Sequence, residues 1–293
     1  MRRSQVAQYI LALCLLWSGT WAQSDPIARE WNRPTEPFRI IGNIYYVGSE
    51  GISSFLITSP QGHILIDGGF EETAPQIIAN IKTLGFDISQ VKILLISHAH
   101  YDHAGGLAAL KKTSGARLMA TDEEARLLRR GGRGDFQYND ELTYPAVETD
   151  RLLQNGDYVR LGENSLQALV TPGHTKGATT FLMTLQKNGQ AFPIVFASSI
   201  SAPDYKLIGN VRYPDIVSAF RRTFKTLERL DCSVFLTFHT GFFRMAEKRA
   251  LLTDNGPNPF VDSSELKRYV NEMRGQFEKN LASQGRTLEQ NRH

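Results

Sequence analysis

Cysteine is almost missing: the 293 residues contain only Cys14 and Cys232. A fold stapled by several disulfides is therefore excluded. Cys232 stands before Ser233-Val234-Phe235-Leu236, a strand-like run, and reads as a buried structural thiol. Long apolar runs are missing too. The segment 9–17 (YILALCLLW) is far short of the roughly 20 residues that cross a bilayer. Arg2 and Arg3 precede it and Thr20-Trp21-Ala22 follows, the three-part pattern of a secretory leader cut after Ala22. Leu13 stands before Cys14, where a lipoprotein leader needs a small residue. Residues 1–22 are thus expected to be removed, leaving 23–293 as one exported, soluble domain with no membrane contact.

Excess charge of one sign is the third absence. Lys and Arg number 33 against 30 Asp and Glu, a net charge of +3. The leader holds two arginines and no acid, so the remainder carries +1 (3 − 2). No basic stripe stands out, which argues against a nucleic-acid partner. Internal repeats and low-complexity linkers are lacking as well.

What is present is a globular composition, 41% hydrophobic, in which short apolar runs alternate with helical patterns. Segments 44–47, 54–57 and 63–66, separated by Gly or Pro, read as strands of a meander. Residues 73–84 carry Ile77, Ile78 and Ile81 at helical spacing and stop at Gly85. Further strands are expected at 91–96, 116–120, 157–161, 166–170 and 234–238, with a hairpin of 179–185 and 192–197 across Lys187-Asn188-Gly189. Further helices are expected at 106–112, 123–130, 215–230 and 263–281. Mixed strands and helices in one chain imply an α+β fold, with two sheets face to face and helices on the outside. Residues 129–148, with Gly131, Gly132 and Gly134 among charges, are expected to form a flexible surface loop. They include Arg133-Gly134-Asp135, an adhesion tripeptide elsewhere, but a three-residue match carries little weight.

The chemistry concentrates in segment 97–106, SHAHYDHAGG, directly after the apolar strand 91–96. Residues two apart on a strand end point the same way, so His98 and His100 can reach one metal together. Asp102 and His103 lie in the following turn and can reach a second position. Four donors within six residues suit two cations about 3.5–4 Å apart. His174 in TPGHTKGATT and His239 in TFHTG also stand just beyond apolar strands. These five of the seven histidines are placed for a shared cleft, whereas His63 and His293 are given no role. Imidazole and carboxylate donors without thiolate favour zinc, with iron or manganese left open.

The run HAHYDH, together with His174 and His239 in their contexts, resembles the metallo-β-lactamase superfamily and its αββα sandwich. SSISAPDYKLIGN (198–210), followed by Arg212-Tyr213-Pro214, is similar to subclass B3 of the class B β-lactamases. The similarity runs from about Phe38 to about Leu281. It implies that His98, His100 and His174 hold a first zinc, that Asp102, His103 and His239 hold a second, and that Asp67 braces the site from outside. Hydrolases of this superfamily that act on thioesters, lactones or phosphodiesters carry a bridging aspartate where this chain has Ser198-Ser199-Ile200-Ser201, and other β-lactamase subclasses carry a thiolate. The implied activity is opening of the β-lactam amide by zinc-held hydroxide without a covalent intermediate. Asp102 would orient the hydroxide, Ser199 and Ser201 would bind the substrate carboxylate, and Tyr205 would assist at the oxyanion. A related dizinc hydrolase of lactones or thioesters is the alternative. A monomer is expected, and the leader together with the implied enzyme class points to the periplasm. Three departures from the subclass pattern stand out: Leu266 where a disulfide partner of Cys232 is common, Ser198 where Asp is common, and Lys176 where Pro is common.

Overall fold

The computed structural model describes residues 26–290, so the expected leader and His293 lie outside the described residues. Helix α1 (Pro26–Trp31) precedes strands β1 (Phe38–Ile41), β2 (Ile44–Tyr46), β3 (Phe55–Ile57) and β4 (His63–Ile66). Helix α2 (Ala74–Thr83), strand β5 (Val91–Leu95), and helices α3 (Tyr101–Ala104) and α4 (Leu107–Ser114) follow. Strand β6 (Arg117–Thr121), helix α5 (Asp122–Arg129) and strand β7 (Arg151–Leu153) complete a first sheet in the order β1-β2-β3-β4-β5-β6-β7. Its first four strands are antiparallel and its last four parallel.

The second sheet comprises β8 (Tyr158–Leu161), β9 (Asn164–Val170), β10 (Thr179–Lys187), β11 (Gln190–Ala197) and β12 (Val234–Thr237), with α6 (Ile216–Leu227) between its last two strands. Helices α7 (Met245–Leu251) and α8 (Glu265–Gln290) close the chain. The β10–β11 hairpin pairs Lys187 with Gln190, and its two turn residues, Asn188 and Gly189, have φ of 52° and 77°. That left-handed pair matches the twist of the flanking strands.

Alternation explains why the central strands read as unbroken apolar runs. Along β3 and β4, Phe55, Ile57, Ile64 and Ile66 face the second sheet, while Leu56 and Leu65 face a core formed with Ile77, Ile81, Leu107 and Leu110 of α2 and α4. Both faces are covered, as in parallel sheets packed under helices. The second sheet is covered by α6 and α8, whose Phe220 and Phe277 rings meet at 4.9 Å. The result is the expected four-layer sandwich of helices, two mixed sheets and helices.

Strands β1 and β7 escaped the sequence reading because Phe38–Ile41 and Arg151–Leu153 are short. The final helix runs nine residues past the expected end at 281, to Gln290. His63 is buried beside Phe86, ring centroids 5.0 Å apart, as a structural residue of the outer core. Cys232 is free and shares a core with Leu266; burial, with the Glu265 charge behind it, pushes the thiol up to about 12.

Phe55 joins the two sheets, its ring lying 5.4 Å from Phe196 and 5.5 Å from Phe238. Replacing it by alanine removes a fully buried aromatic between close-packed layers. Phe55→Ala is expected to cost about 3–5 kcal/mol in denaturant unfolding of the metal-free protein, and Phe55→Leu clearly less.

Candidate metal centre

Strand direction brings the donors together. In the second sheet β9 runs antiparallel to β10, β10 antiparallel to β11 and β11 parallel to β12, so β9, β11 and β12 all end at one edge. The parallel strands β4 and β5 of the first sheet end at the facing edge. Three contacts lock the two edges: Thr179 N–H donates to the Ser97 carbonyl at 2.7 Å, Ser198 Oγ to the same oxygen at 3.1 Å, and Ser53 N–H to the Phe238 carbonyl at 2.9 Å. His98 and His100 follow β5, Asp102 and His103 sit on the single turn α3, His174 follows β9 and His239 follows β12.

The sequence-predicted donors therefore meet. Ligand atoms of His98, His100 and His174 lie within 4.8 Å of one another, as do those of His98, Asp102 and His103. His239 completes the group, with Nε2 3.3 Å from His103 Nε2 and 3.5 Å from Asp102 Oδ2. All are buried except His239, whose side chain is 20% exposed.

Hydrogen bonds behind the rings assign the tautomers. Asp67 Oδ1 accepts Ser97 N–H and its Oδ2 accepts Ser97 Oγ–H, both at 2.6 Å. Ser97 Oγ, its own proton committed, then accepts from His98 Nδ1 at 3.0 Å. Asp67 Oδ2 also accepts His103 Nδ1–H at 3.1 Å. His174 Nδ1 donates to the Ser201 carbonyl at 2.8 Å, since that oxygen can only accept. His98, His103 and His174 thus each keep Nε2 for the cleft, as second-shell contacts to metal-binding histidines do. Asp67 is both a turn residue, at φ 62°, and the brace of two rings. Its contact with His103 needs glycine beside it: a Cβ on Gly106 would stand 2.3 Å from the Gly68 carbonyl oxygen.

The charges fit a cation. Burial, then the neighbouring imidazoles beginning with His103, hold His98 well below the ordinary histidine range, and burial followed by His100 does the same to His174. His239 is lowered to about 4 by burial and then His103. These rings are neutral and can donate a lone pair. Burial would also lower His103, but Asp102 and then Asp67 outweigh it and raise it to about 10, so a proton at its Nε2 stands where a metal would otherwise sit. Burial would raise Asp102, yet His103 and then His239 hold it well below the carboxylate range. His98 Nε2 is buried with no hydrogen-bond partner, which is costly for a polar atom unless a metal takes it. Neutral imidazoles, one ionised carboxylate and an orphaned nitrogen fit a metal site well.

The remaining predicted residues are arranged less uniformly. A cleft of about 1110 Å³ is lined by His100, Asp102, His174, His239 and Ser201. Ser199 is buried at the end of β11. Tyr205 does not offer its hydroxyl to the cleft as expected: it is 1% exposed, and the hydroxyl donates to the His174 carbonyl at 2.9 Å and lies 3.3 Å from His174 Nδ1. Lys176 lies over the Tyr213 ring at 5.6 Å.

The segment expected to be a flexible loop is instead packed against the site, which is the main correction to the sequence reading. Asp135 is 6% exposed, its Oδ2 is 3.7 Å from His100 Nε2, and His100 outweighs burial to hold it below the usual carboxylate range. Tyr144 donates to the Ala99 carbonyl at 2.6 Å, and the Tyr138 ring meets His100 at 5.0 Å. With Asp135 turned inward, Arg133-Gly134-Asp135 is no exposed adhesion motif. Trp31 of α1, also unforeseen, stands edge-on to His239 at 5.0 Å.

The metallo-β-lactamase superfamily model matches residues 47–239, from just after the second strand to the last histidine of the site. The chain belongs to the metallo-β-lactamase superfamily. Its structural neighbours are subclass B3 metallo-β-lactamases, which are hydrolases. BJP-1 of Bradyrhizobium japonicum is 37% identical, covering 89% of this chain and 98% of that one, with a TM-score of 0.84. A Cronobacter sakazakii metallo-β-lactamase named for a HARLDQ motif is 42% identical over 87% of this chain and 98% of that one, with a TM-score of 0.84. Among sequence relatives, a hydroxyacylglutathione hydrolase of Haemophilus influenzae is 26% identical over 68% of this chain and 87% of its own length. A probable metallo-hydrolase of Burkholderia pseudomallei is 32% identical over 112 residues, 38% of this chain, which spans only 37% of that protein.

Removing the Tyr205 hydroxyl separates support from catalysis. Tyr205→Phe is expected to lower stability by about 0.5–1.5 kcal/mol and turnover by less than about tenfold. A loss of about 10²–10³ in kcat would return the hydroxyl to the oxyanion.

Proposed function

We propose that this metallo-β-lactamase family member hydrolyses the β-lactam amide bond with two zinc ions, His98, His100 and His174 holding one and Asp102, His103 and His239 the other. When bound, zinc lowers the pKa of its water to about 7 and polarises the carbonyl under attack. Asp102, ionised between His103 and His239, orients the attacking water. The water oxygen ends on the carbonyl carbon and a proton ends on the departing nitrogen, with no bond to the protein at any stage. Ser201 at the cleft wall, with Ser199 behind it, hydrogen-bonds the substrate carboxylate. Trp31 and Tyr138 supply apolar walls for the remainder of the molecule.

One observation carries this reading over its rival. Thioesterases and lactonases of the superfamily are sequence relatives too, but the end of β11 here carries Ser198-Ser199 and no carboxylate to bridge two cations, while His103 points Nε2 at Asp102 and His239 as an added donor. The B3 lactamases are the neighbours along most of the chain, which supports the same choice.

Purified protein is expected to open a chromogenic cephalosporin and a carbapenem, to stop on treatment with a chelator and to resume with zinc. Turnover of a lactone or a thioester without any β-lactam turnover would favour the rival. His174→Ala is expected to lower turnover by more than about 100-fold, beyond the loss typical of outer contacts, and a near-normal rate would remove His174 from the donor set.

A further inference from the structure

Glu124 of α5 is 1% exposed, yet it has no ion-pair partner among the described residues and is not a member of the donor set. Its carboxylate is surrounded by donors. Oε2 accepts Ala99 N–H at 2.5 Å, while Oε1 accepts Thr175 Oγ1–H at 2.6 Å and Gly177 N–H at 2.9 Å. Ala99 lies between His98 and His100, and Thr175 directly follows His174. One carboxylate therefore ties together the two segments that carry all three imidazoles of the first metal position.

The tie is fixed at its base. Thr121, immediately before α5, donates to the Gly177 carbonyl at 2.8 Å, and a Cβ at Gly177 would stand 2.4 Å from Thr121 Oγ1. The helix that carries Glu124 is thus pressed against the His174 loop with no room for slack. Burying an acid this deeply is costly, and satisfying two backbone N–H groups alone would need only a neutral acceptor. Three imidazoles that bind through a lone pair bring no negative charge to offset a dication. A buried carboxylate bonded to both ligand segments supplies that charge and fixes the distance between them.

We propose that Glu124 is a positioning residue for the first metal, setting the spacing of His98 and His100 against His174 and adding outer negative charge. The proposal rests on the metal reading above. A glutamine in its place must turn an amide N–H toward either Ala99 N–H or the Gly177 N–H, so one of the two segments is released.

The test is zinc competition against a chromophoric chelator at a temperature well below unfolding, together with the visible spectrum of the cobalt(II)-substituted protein. Glu124→Gln is expected to weaken the tighter zinc step by about 10–100-fold and to alter the cobalt bands, with KM at saturating zinc unchanged. Wild-type zinc affinity and cobalt bands in folded Glu124→Gln, even with a lowered metal-free Tm, would reduce Glu124 to a structural acceptor and overturn the proposal. If Glu124→Gln does not fold, Thr175→Val, which removes one donor and keeps the carboxylate, is expected to weaken the same step, and unchanged affinity overturns the proposal. Absence of zinc binding in the unaltered protein would instead defeat the metal reading itself.

Discussion

Five imidazoles and a carboxylate crowd one rim where two sheets meet, nearly out of reach of water, and the rest of the molecule is arranged to tolerate that crowding. Burial disfavours a proton on these rings, and the neighbouring imidazoles add to the effect, so His98, His174 and His239 are held neutral. Neutral rings in contact gain little from one another. They gain a great deal from a shared cation, and the packing energy of the two-sheet core is what keeps them in place for it. Phe55, Phe196 and Phe238, directly behind the rim, supply part of that packing and link fold to site.

Around the donors stands a shell that chooses which nitrogen faces the cleft. Asp67 reaches His103 directly and His98 through Ser97, while the Ser201 carbonyl fixes His174. A ring turned over would present N–H where a lone pair is needed. Tyr205 belongs to this shell, because its hydroxyl holds the backbone of His174. The same side chain read from sequence suggested a part at the oxyanion, since sequence conveys that a tyrosine is near and not which way its hydroxyl points.

The convergence of these side chains was legible because HAHYDH is dense and His174 and His239 each stand shortly beyond an apolar strand. The layer arrangement was legible because both faces of the central strands are covered. Asp135 and Glu124 were not. Asp135 lies in a glycine-rich charged stretch that imitates a mobile loop, and Glu124 in Asp122-Glu123-Glu124 imitates an ordinary acidic first turn of a helix. Their partners lie 25 to 53 residues away in the chain for Glu124, and nothing local records them. Overall likeness does not record them either. A neighbour at 42% identity is named for HARLDQ, whereas this chain carries HAHYDH, so the donor set has to be read from this chain's own residues.

The most direct test of the account is X-ray diffraction from crystals of the zinc-loaded protein, recorded on both sides of the zinc absorption edge. Two anomalous peaks about 3.5–4 Å apart are predicted, one among His98, His100 and His174 and the other among Asp102, His103 and His239. Peaks elsewhere on the molecule, or none at this rim, would contradict it.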